Sequence, residues 1–106
     1  MRTPIHEQHD TDANGNPSGG VTVGRGFTIA WQNGPLAVDG VRREPNGAFV
    51  EDVIQAAIGR IAHYQASRFA CEENAKALAA LHDAANHLDA RTKNRERRGV
   101  EGTHTA

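Results

Sequence analysis

The chain of 106 residues, with a mass of 11.4 kDa, has the length of one small domain. Hydrophobic residues make up 38% of it and aromatic residues only 5%, so its own core should be small and self-association would supply further burial. No apolar run approaches the roughly 20 residues that span a bilayer, residues 1–10 lack the apolar core of a signal peptide, and the single Cys71 excludes an internal disulfide. We therefore expect a soluble protein of a reducing compartment.

The net charge of −1 is unevenly distributed along the sequence. Residues 1–90 hold seven Lys or Arg and eleven Asp or Glu, whereas residues 91–106 hold five and two. The positive charge is thus concentrated in one short segment near the C-terminus. This asymmetry favours a local anion site over a general nucleic-acid surface.

The N-terminal half predicts a small β-region after a flexible start. Residues 1–20 are polar and rich in Gly and Pro, so we expect them to form a flexible N-terminal segment. Two β-branched or aromatic runs flank the glycine turn at residues 24–26 and predict an antiparallel hairpin within a β-region of about residues 21–45. Residues 36–45 should form its connecting loop. Alternating apolar residues of the second strand should share one face: Phe27, Ile29 and Trp31.

The C-terminal half predicts two helices over about residues 47–98 and a short tail over 99–106. The first helix is predicted at about 48–66, with Asn46-Gly47 as its entry, from apolar residues at helical spacing: Val50, Ile54, Ala57, Ile58 and Ile61. The second is predicted at about 71–97 from a similar stripe: Leu78, Leu81, Ala85 and Leu88. A tight turn is favoured over one continuous helix, because Ser67 can cap and a helix of about 50 residues would be unusual here.

Candidate ligand contacts lie at both ends of the second helix. Arg91, Arg95 and Arg98 are spaced i, i+4, i+7, so they share a face on which guanidinium groups can hold a phosphate. The alternative is a solvated basic end that complements the helix dipole. At the other end, Asn74 falls on the leucine stripe, where a polar amide needs hydrogen-bond partners.

Tyr64 flanks the apolar stripe of the first helix and should gather with Phe69 and Asn74 at the turn end of the hairpin. Two interpretations stay open for this group. It is either a core aromatic with a satisfied amide, or a base-stacking ring beside an amide that reads the edge of a base or ribose.

Other reactive residues indicate no catalytic or metal site. His82 and His87 lie about 140° apart around a helix, so they do not form a metal-binding pair on one face. Cys71 has no base nearby in sequence and is expected to pack at the turn. No base and nucleophile are paired, so we expect neither an enzyme nor a cofactor.

The spacing of the two candidate groups constrains how they could share a ligand. Seventeen residues separate Asn74 from Arg91, which is about 25 Å of helix. One chain cannot bring both groups to the same small molecule, so a pocket that uses both needs a second chain packed head to tail. The fold class is therefore predicted as α+β, a short N-terminal antiparallel β-region followed by a two-helix antiparallel hairpin, in a homo-oligomer.

Several blocks of the sequence, which together span roughly residues 21–104, resemble the first-described family of phage anti-Thoeris "sponge" proteins. The most specific are Pro-Asn-Gly-Ala-Phe at 45–49 and Arg-Gly-Val-Glu-Gly-Thr-His at 98–104. The resemblance also extends over the following positions: 27–36, 44–53, 64–65, 69–71, 74 and 91–96. It implies one domain over residues 21–106.

The resemblance implies a function that the residues alone do not. Such proteins are small dimers or hexamers that sequester, without cleaving it, the glycocyclic ADP-ribose signal of bacterial TIR-domain proteins, and some also hold CBASS cyclic di- or trinucleotides at separate sites. They are phage or prophage encoded and act in the host cytoplasm. By position, ligand-binding roles are implied for Tyr64 and Asn74 (stacking and hydrogen bonding), for Arg91 and Arg95 (phosphate), and for Phe69, Trp31, Arg25 and His104.

Two rival functions remain open beside this one. The first is a small nucleic-acid-binding protein that uses the C-terminal basic helix, whose binding would fall steeply with salt. The second is a purely structural helical module.

Overall fold

In the computed structural model, which describes residues 2–106, the chain forms a small β-region followed by two helices. The strands are β1 (His6–Thr11), β2 (Pro17–Gly24), β3 (Phe27–Ala30), β4 (Ala37–Val38) and β5 (Val41–Arg42), and the helices are α1 (Val50–Gln65) and α2 (Glu72–Arg97). The predicted α+β class with a two-helix C-terminal hairpin is confirmed. The chain divides into two compact units, a β-unit that runs up to Phe49 and includes Val100–Ala106, and a helical unit, Val50–Gly99.

The β-unit is built on a three-stranded antiparallel sheet of order β1-β2-β3. The predicted hairpin of β2 and β3 is present, with Gly24 paired to Phe27 across a two-residue turn. Thr22, only 5% exposed, pairs with Ile29 and accepts a hydrogen bond from the Trp31 indole N–H at 2.8 Å. Ile29 and Trp31 are half-buried, whereas Phe27, which was predicted to share their face, is 42% exposed.

Residues 6–20 differ from the expected flexible segment, because they contain β1 and the start of β2, whereas Met1 lies outside the described residues. All six residues of β1 are exposed, so its side chains show no apolar alternation that a sequence pattern could reveal. The pairing depends instead on close backbone approach at Gly20, whose φ is 126°. A Cβ at Gly20 would lie 2.0 Å from the carbonyl oxygen of Gln8.

The loop predicted at residues 36–45 contains a second, shorter hairpin formed by β4 and β5. Both residues of its turn have positive φ, 51° for Asp39 and 76° for Gly40, as the preferred two-residue hairpin turn requires. The C-terminal tail lies in the same unit. Its Glu101 accepts a bidentate pair of hydrogen bonds from Arg42, and the Gly102 carbonyl accepts one from the backbone N–H of Ala37 at 2.9 Å.

Asn46-Gly47 does not open a helix as predicted but lies alongside the end of β3. The Asn46 side chain accepts from the N–H of Asn33 and donates to its carbonyl, both at 2.8 Å, while the Gln32 side chain accepts from the Asn46 N–H. Trp31 and Ala48 form an isolated parallel bridge. A Cβ at Gly47 would lie 2.6 Å from the Trp31 carbonyl, so this approach requires glycine.

The helical unit is the predicted antiparallel hairpin, and the alternative of one continuous helix is wrong. The 16 residues of α1 pack against α2, which has 26 residues. Ile58 is 6% exposed, and no residue of α2 reaches that degree of burial. Across residues 2–106, neither helix has the length and apolar character that crossing a membrane demands.

Candidate functional site

The turn between the helices is fixed by two side chains that bond to its backbone. Ser67 donates to the Tyr64 carbonyl and accepts from the N–H of Phe69 at 3.1 Å. The Gln65 amide donates to the Cys71 carbonyl at 3.1 Å and accepts from the Cys71 N–H at 2.9 Å. Ser67 thus holds the turn, while Cys71 is the N-cap residue of α2 and makes no side-chain capping bond. The turn therefore presents its aromatic residues from a defined backbone.

Both aromatic rings at this end are exposed and both lie beside an arginine. Tyr64, in the last turn of α1, is 40% exposed, and Phe69, in the turn, is 64% exposed. The guanidinium carbon of Arg60 lies 5.0 Å from the Tyr64 ring centroid, and that of Arg68 lies 4.8 Å from the Phe69 centroid. The interpretation of Tyr64 as a core aromatic therefore does not fit the helical unit. An exposed ring remains accessible for stacking.

Asn74 lies in the first turn of α2, at the same end of the hairpin as Tyr64 and Phe69. It is half-buried and begins a half-buried stripe at alternating four- and three-residue spacing: Asn74, Leu78, Leu81, Ala85, Leu88, Thr92 and Arg95. The structure thus brings the amide and the two aromatic rings to one end of the hairpin, as predicted. The stripe also places a polar residue at each end of a row that is mainly apolar.

Arg91 and Arg95 lie in the last turns of α2, about 25 Å and about 31 Å along the helix from Asn74. Arg95 is half-buried and continues the stripe, whereas Arg91 is exposed and forms no ion pair with any residue between 2 and 106. Arg98 is the C-cap residue, and its backbone N–H donates to the Asn94 carbonyl at 3.1 Å. Within the helical unit, the two candidate groups remain separated along α2.

The other three candidates belong to the β-unit. Trp31 is half-buried, and its indole N–H donates to the Thr22 hydroxyl at 2.8 Å, so its ligand-binding role stays a prediction. His104 in the tail has its Nδ1 3.1 Å from the side-chain nitrogen of Asn16. Arg25 lines a cavity of about 430 Å³ together with five other described residues: Arg2, Thr3, Ile5, Gly24 and Phe27.

The Arg25 cavity combines two cations with apolar surface. Neither Arg2 nor Arg25 pairs with a carboxylate within the described part of the chain, and Phe27 and Ile5 are both exposed there. The Phe27 ring lies directly over Gly24, since a Cβ at Gly24 would be 2.3 Å from a ring carbon. This arrangement suits an anionic group attached to a flat or apolar body.

The carboxylate of Asp12 has a shifted pKa that is explained by its local hydrogen bonds. The backbone N–H of Asn16 donates to the Asp12 carboxylate at 3.0 Å and is the main cause that lowers the pKa of Asp12 below its usual 3.8. The nearby His104 lowers it further. No cluster of three or more potential metal ligands occurs within residues 2–106.

The sequence pointed to Ser67 at the turn but did not reveal Gln65, the second residue that holds it. Gln65 gave no signal because its function depends on the position of Cys71, six residues later. Cys71 itself is exposed rather than packed as expected. One sequence signal could have identified Gln65 and Cys71 as a pair. Gln65 carries a side-chain amide at the end of the first helix, and Cys71 precedes the second helix, where unpaired backbone groups need partners.

Comparison with known proteins agrees with this architecture. Residues 25–93 match the family model described as Acb2/Tad1, hairpin domain, a range that runs from the β2–β3 turn into the last turns of α2. The chain is also 40% identical over 106 aligned positions to Thoeris anti-defense 1 of Bacillus phage SBSphiJ7, an alignment that covers 96% of this chain and 72% of the phage protein. The protein therefore belongs to the Acb2/Tad1 family and carries its hairpin domain.

Proposed function

We propose that this protein binds and sequesters a cyclic nucleotide immune signal, glycocyclic ADP-ribose, and thereby inhibits a bacterial anti-phage defence. Membership of the Acb2/Tad1 family, together with the name of its phage relative, supports the anti-defence role. The observation that carries the choice of ligand is the exposed Tyr64 ring next to a fixed turn, at the same end of the hairpin as the half-buried Asn74. The site of action is the cytoplasm of the infected bacterium.

The proposed contacts follow the chemistry of the ligand. An adenine ring stacks on Tyr64, with Phe69 contributing further apolar surface, because rings at this end are exposed and approachable. The amide of Asn74 can both donate and accept, as recognition of a base or ribose edge requires. Arg91 and Arg95 supply guanidinium groups for the two phosphates of the ligand.

The complete site needs two copies of the chain. Arg91 and Arg95 lie about 25 Å and about 31 Å along α2 from Asn74, so the phosphate contacts must come from a second copy packed head to tail. The low burial of the chain supports self-association. Among residues 2–106, only Thr22 and Ile58 are buried. Seven large apolar residues are instead exposed to solvent: Ile5, Val23, Phe27, Val41, Val50, Tyr64 and Phe69. A homodimer or homohexamer would cover part of this surface.

The proposed action is sequestration and not catalysis. The candidate contacts are an aromatic ring, an amide and guanidinium groups, which are binding groups, and none of them is a nucleophile or a general base at neutral pH. The ligand should therefore be recovered unchanged when the complex is denatured by heat. Recovery of a hydrolysed product would overturn this part of the proposal.

A second ligand class fits the Arg25 cavity of the β-unit. Arg2 and Arg25, which pair with no carboxylate among residues 2–106, together with the Phe27 ring suit a CBASS cyclic di- or trinucleotide. Competition titrations separate the two sites. Excess cyclic trinucleotide should leave glycocyclic ADP-ribose binding unchanged if the sites are distinct, and displacement would show that both ligands share one site.

Isothermal titration calorimetry with glycocyclic ADP-ribose tests the main proposal. The wild-type protein should bind, and Tyr64→Ala should lose about 1–3 kcal/mol of binding free energy by loss of stacking. The control is Val41→Ala, because Val41 is 63% exposed, lies outside the helical unit and belongs to neither proposed site. Absence of heat with wild-type protein would overturn the proposed function.

Charge variants of α2 distinguish the proposal from its nucleic-acid rival. Arg91→Ala should weaken binding of glycocyclic ADP-ribose, whereas Lys93→Ala, which removes a cation paired with Asp89 at 3.0 Å, should not. The rival predicts binding to DNA or RNA that falls steeply with salt and is insensitive to Tyr64→Ala. Such a salt-dependent result would favour the rival.

A further inference from the structure

Arg60 is the side chain in contact with the Tyr64 ring that no proposed contact yet uses. The two residues are four apart on α1 and so lie on the same face of the helix. The Nε–H of Arg60 donates to the Tyr64 hydroxyl oxygen at 3.1 Å, and its guanidinium carbon lies over the ring, 5.0 Å from the centroid. No carboxylate within the described residues pairs with Arg60.

Because Arg60 contacts Tyr64 through both the hydroxyl and the ring, it restricts the ring more than either contact alone. Tyr64 is 40% exposed, and its ring centroid also lies 6.2 Å from that of the neighbouring His63 ring, which forms no hydrogen bond to the Tyr64 hydroxyl among the described contacts. An exposed side chain that is free to rotate must be immobilised when a ligand stacks on it, which weakens binding. If Arg60 already immobilises the Tyr64 ring in the free protein, ligand binding avoids this loss of side-chain entropy.

We infer that Arg60 is a positioning residue that holds the Tyr64 ring in the orientation that receives the base of the ligand. This inference rests on the proposed function, because it gives Arg60 a role in that same site. Arg60 acts through Tyr64 and makes no contact of its own with the ligand. A direct contact between Arg60 and a phosphate is the competing role that the experiment must separate.

The test combines a binding measurement with a signal from the free protein. Tyr64 is the only tyrosine in the chain, so a ¹³C-labelled tyrosine ring gives NMR signals from this residue alone. The variants are Arg60→Ala, the conservative Arg60→Lys, and Arg60→Ala combined with Tyr64→Ala. The control is Lys76→Ala, which removes one exposed positive charge on α2 without disturbing an aromatic contact.

Without ligand, Arg60→Ala should shift and narrow the tyrosine ring signals as the ring gains mobility, whereas Lys76→Ala should leave them unchanged. With glycocyclic ADP-ribose, Arg60→Ala should bind about two- to fivefold more weakly, and Arg60→Lys should recover part of that loss by keeping a cation at the ring. In the Tyr64→Ala background, removal of Arg60 should have no further effect, since the ring on which it acts is absent.

The outcomes separate this inference from the proposed function. Full affinity in Arg60→Ala, or an equal loss with and without the Tyr64 ring, would overturn the positioning role while wild-type binding still supports the proposed function. Absence of wild-type binding would overturn the proposed function itself. The NMR spectra without ligand test whether Arg60 holds the Tyr64 ring in the free protein. Unchanged ring signals in Arg60→Ala would show that it does not.

Discussion

Replacing Gly47 with alanine tests whether the segment beside β3 is held by close backbone contact. A Cβ at this position would lie 2.6 Å from both the carbonyl carbon and oxygen of Trp31 and 2.7 Å from the carbonyl oxygen of Ala30. All three atoms belong to the backbone, so no side-chain rotation can relieve the clash. The segment must move away from β3, and the bonds that flank Gly47 must lengthen or break.

The expected cost follows from those bonds. The Ala48 N–H donates to the Ala30 carbonyl at 2.7 Å, and the Gln32 N–H donates to the Ala48 carbonyl at 3.0 Å. Two backbone hydrogen bonds contribute about 1–3 kcal/mol together. The lower chain entropy of alanine in the unfolded state offsets about 0.4–1 kcal/mol of that loss. The midpoints of these two ranges make the Gly47→Ala protein about 1.3 kcal/mol less stable, a decrease in melting temperature of about 5–10 °C.

The assay is thermal unfolding followed by fluorescence of Trp31, the only tryptophan, which lies beside Gly47. Protein concentration must be equal for all variants, since self-association would raise the apparent melting temperature. The matched control is Gly59→Ala in α1, where a Cβ meets nothing within 4 Å. That change should stabilise the helix by about 0.5–1 kcal/mol. A Gly47→Ala midpoint equal to that of the wild type would refute the argument.

Two further predictions concern the β1–β2 hairpin. Gly20→Ala should separate β1 from β2, because its Cβ would lie 2.0 Å from the Gln8 carbonyl oxygen and its φ of 126° disfavours alanine. Hydrogen exchange of the β1 backbone amides should then be faster than in the wild type. Equal exchange rates in the two proteins would contradict this prediction. The pKa of Asp12 is lowered by folding, so its stabilising contribution is present above about pH 4 and is lost as pH falls through the folded pKa. Asp12→Asn should reduce the pH dependence of the Asn16 amide NMR signal below pH 4, and an identical titration would contradict it.

The helices were predictable because their burial follows a regular spacing. The α1 stripe includes Ile54, Ile58 and Ile61, and the observed helix differs from the predicted one by two residues at its start and one at its end. The start was misplaced because Asn46-Gly47 resembles a helix entry in local composition. Its actual partners, Gln32 and Asn33, lie more than ten residues earlier, and local composition carries no information about such pairing.

Strand β1 could not be predicted for a different physical reason. Both faces of His6–Thr11 are exposed, so burial imposes no pattern on its side chains. Its position is determined by backbone hydrogen bonds and by the space above Gly20. Within the candidate site, Tyr64 and Asn74 could be proposed from their residue types and their positions on the helices. The hydrogen bonds between Gln65 and Cys71 could not, because they depend on the geometry of the folded turn.

Native mass spectrometry of the protein mixed with glycocyclic ADP-ribose tests most directly whether the ligand is held intact between copies. In a symmetric dimer, a site that both chains form head to tail occurs twice. We therefore predict an assembly with an even number of chains and one unmodified ligand for each chain. A single chain that carries the ligand by itself, or an assembly that carries none, would contradict it.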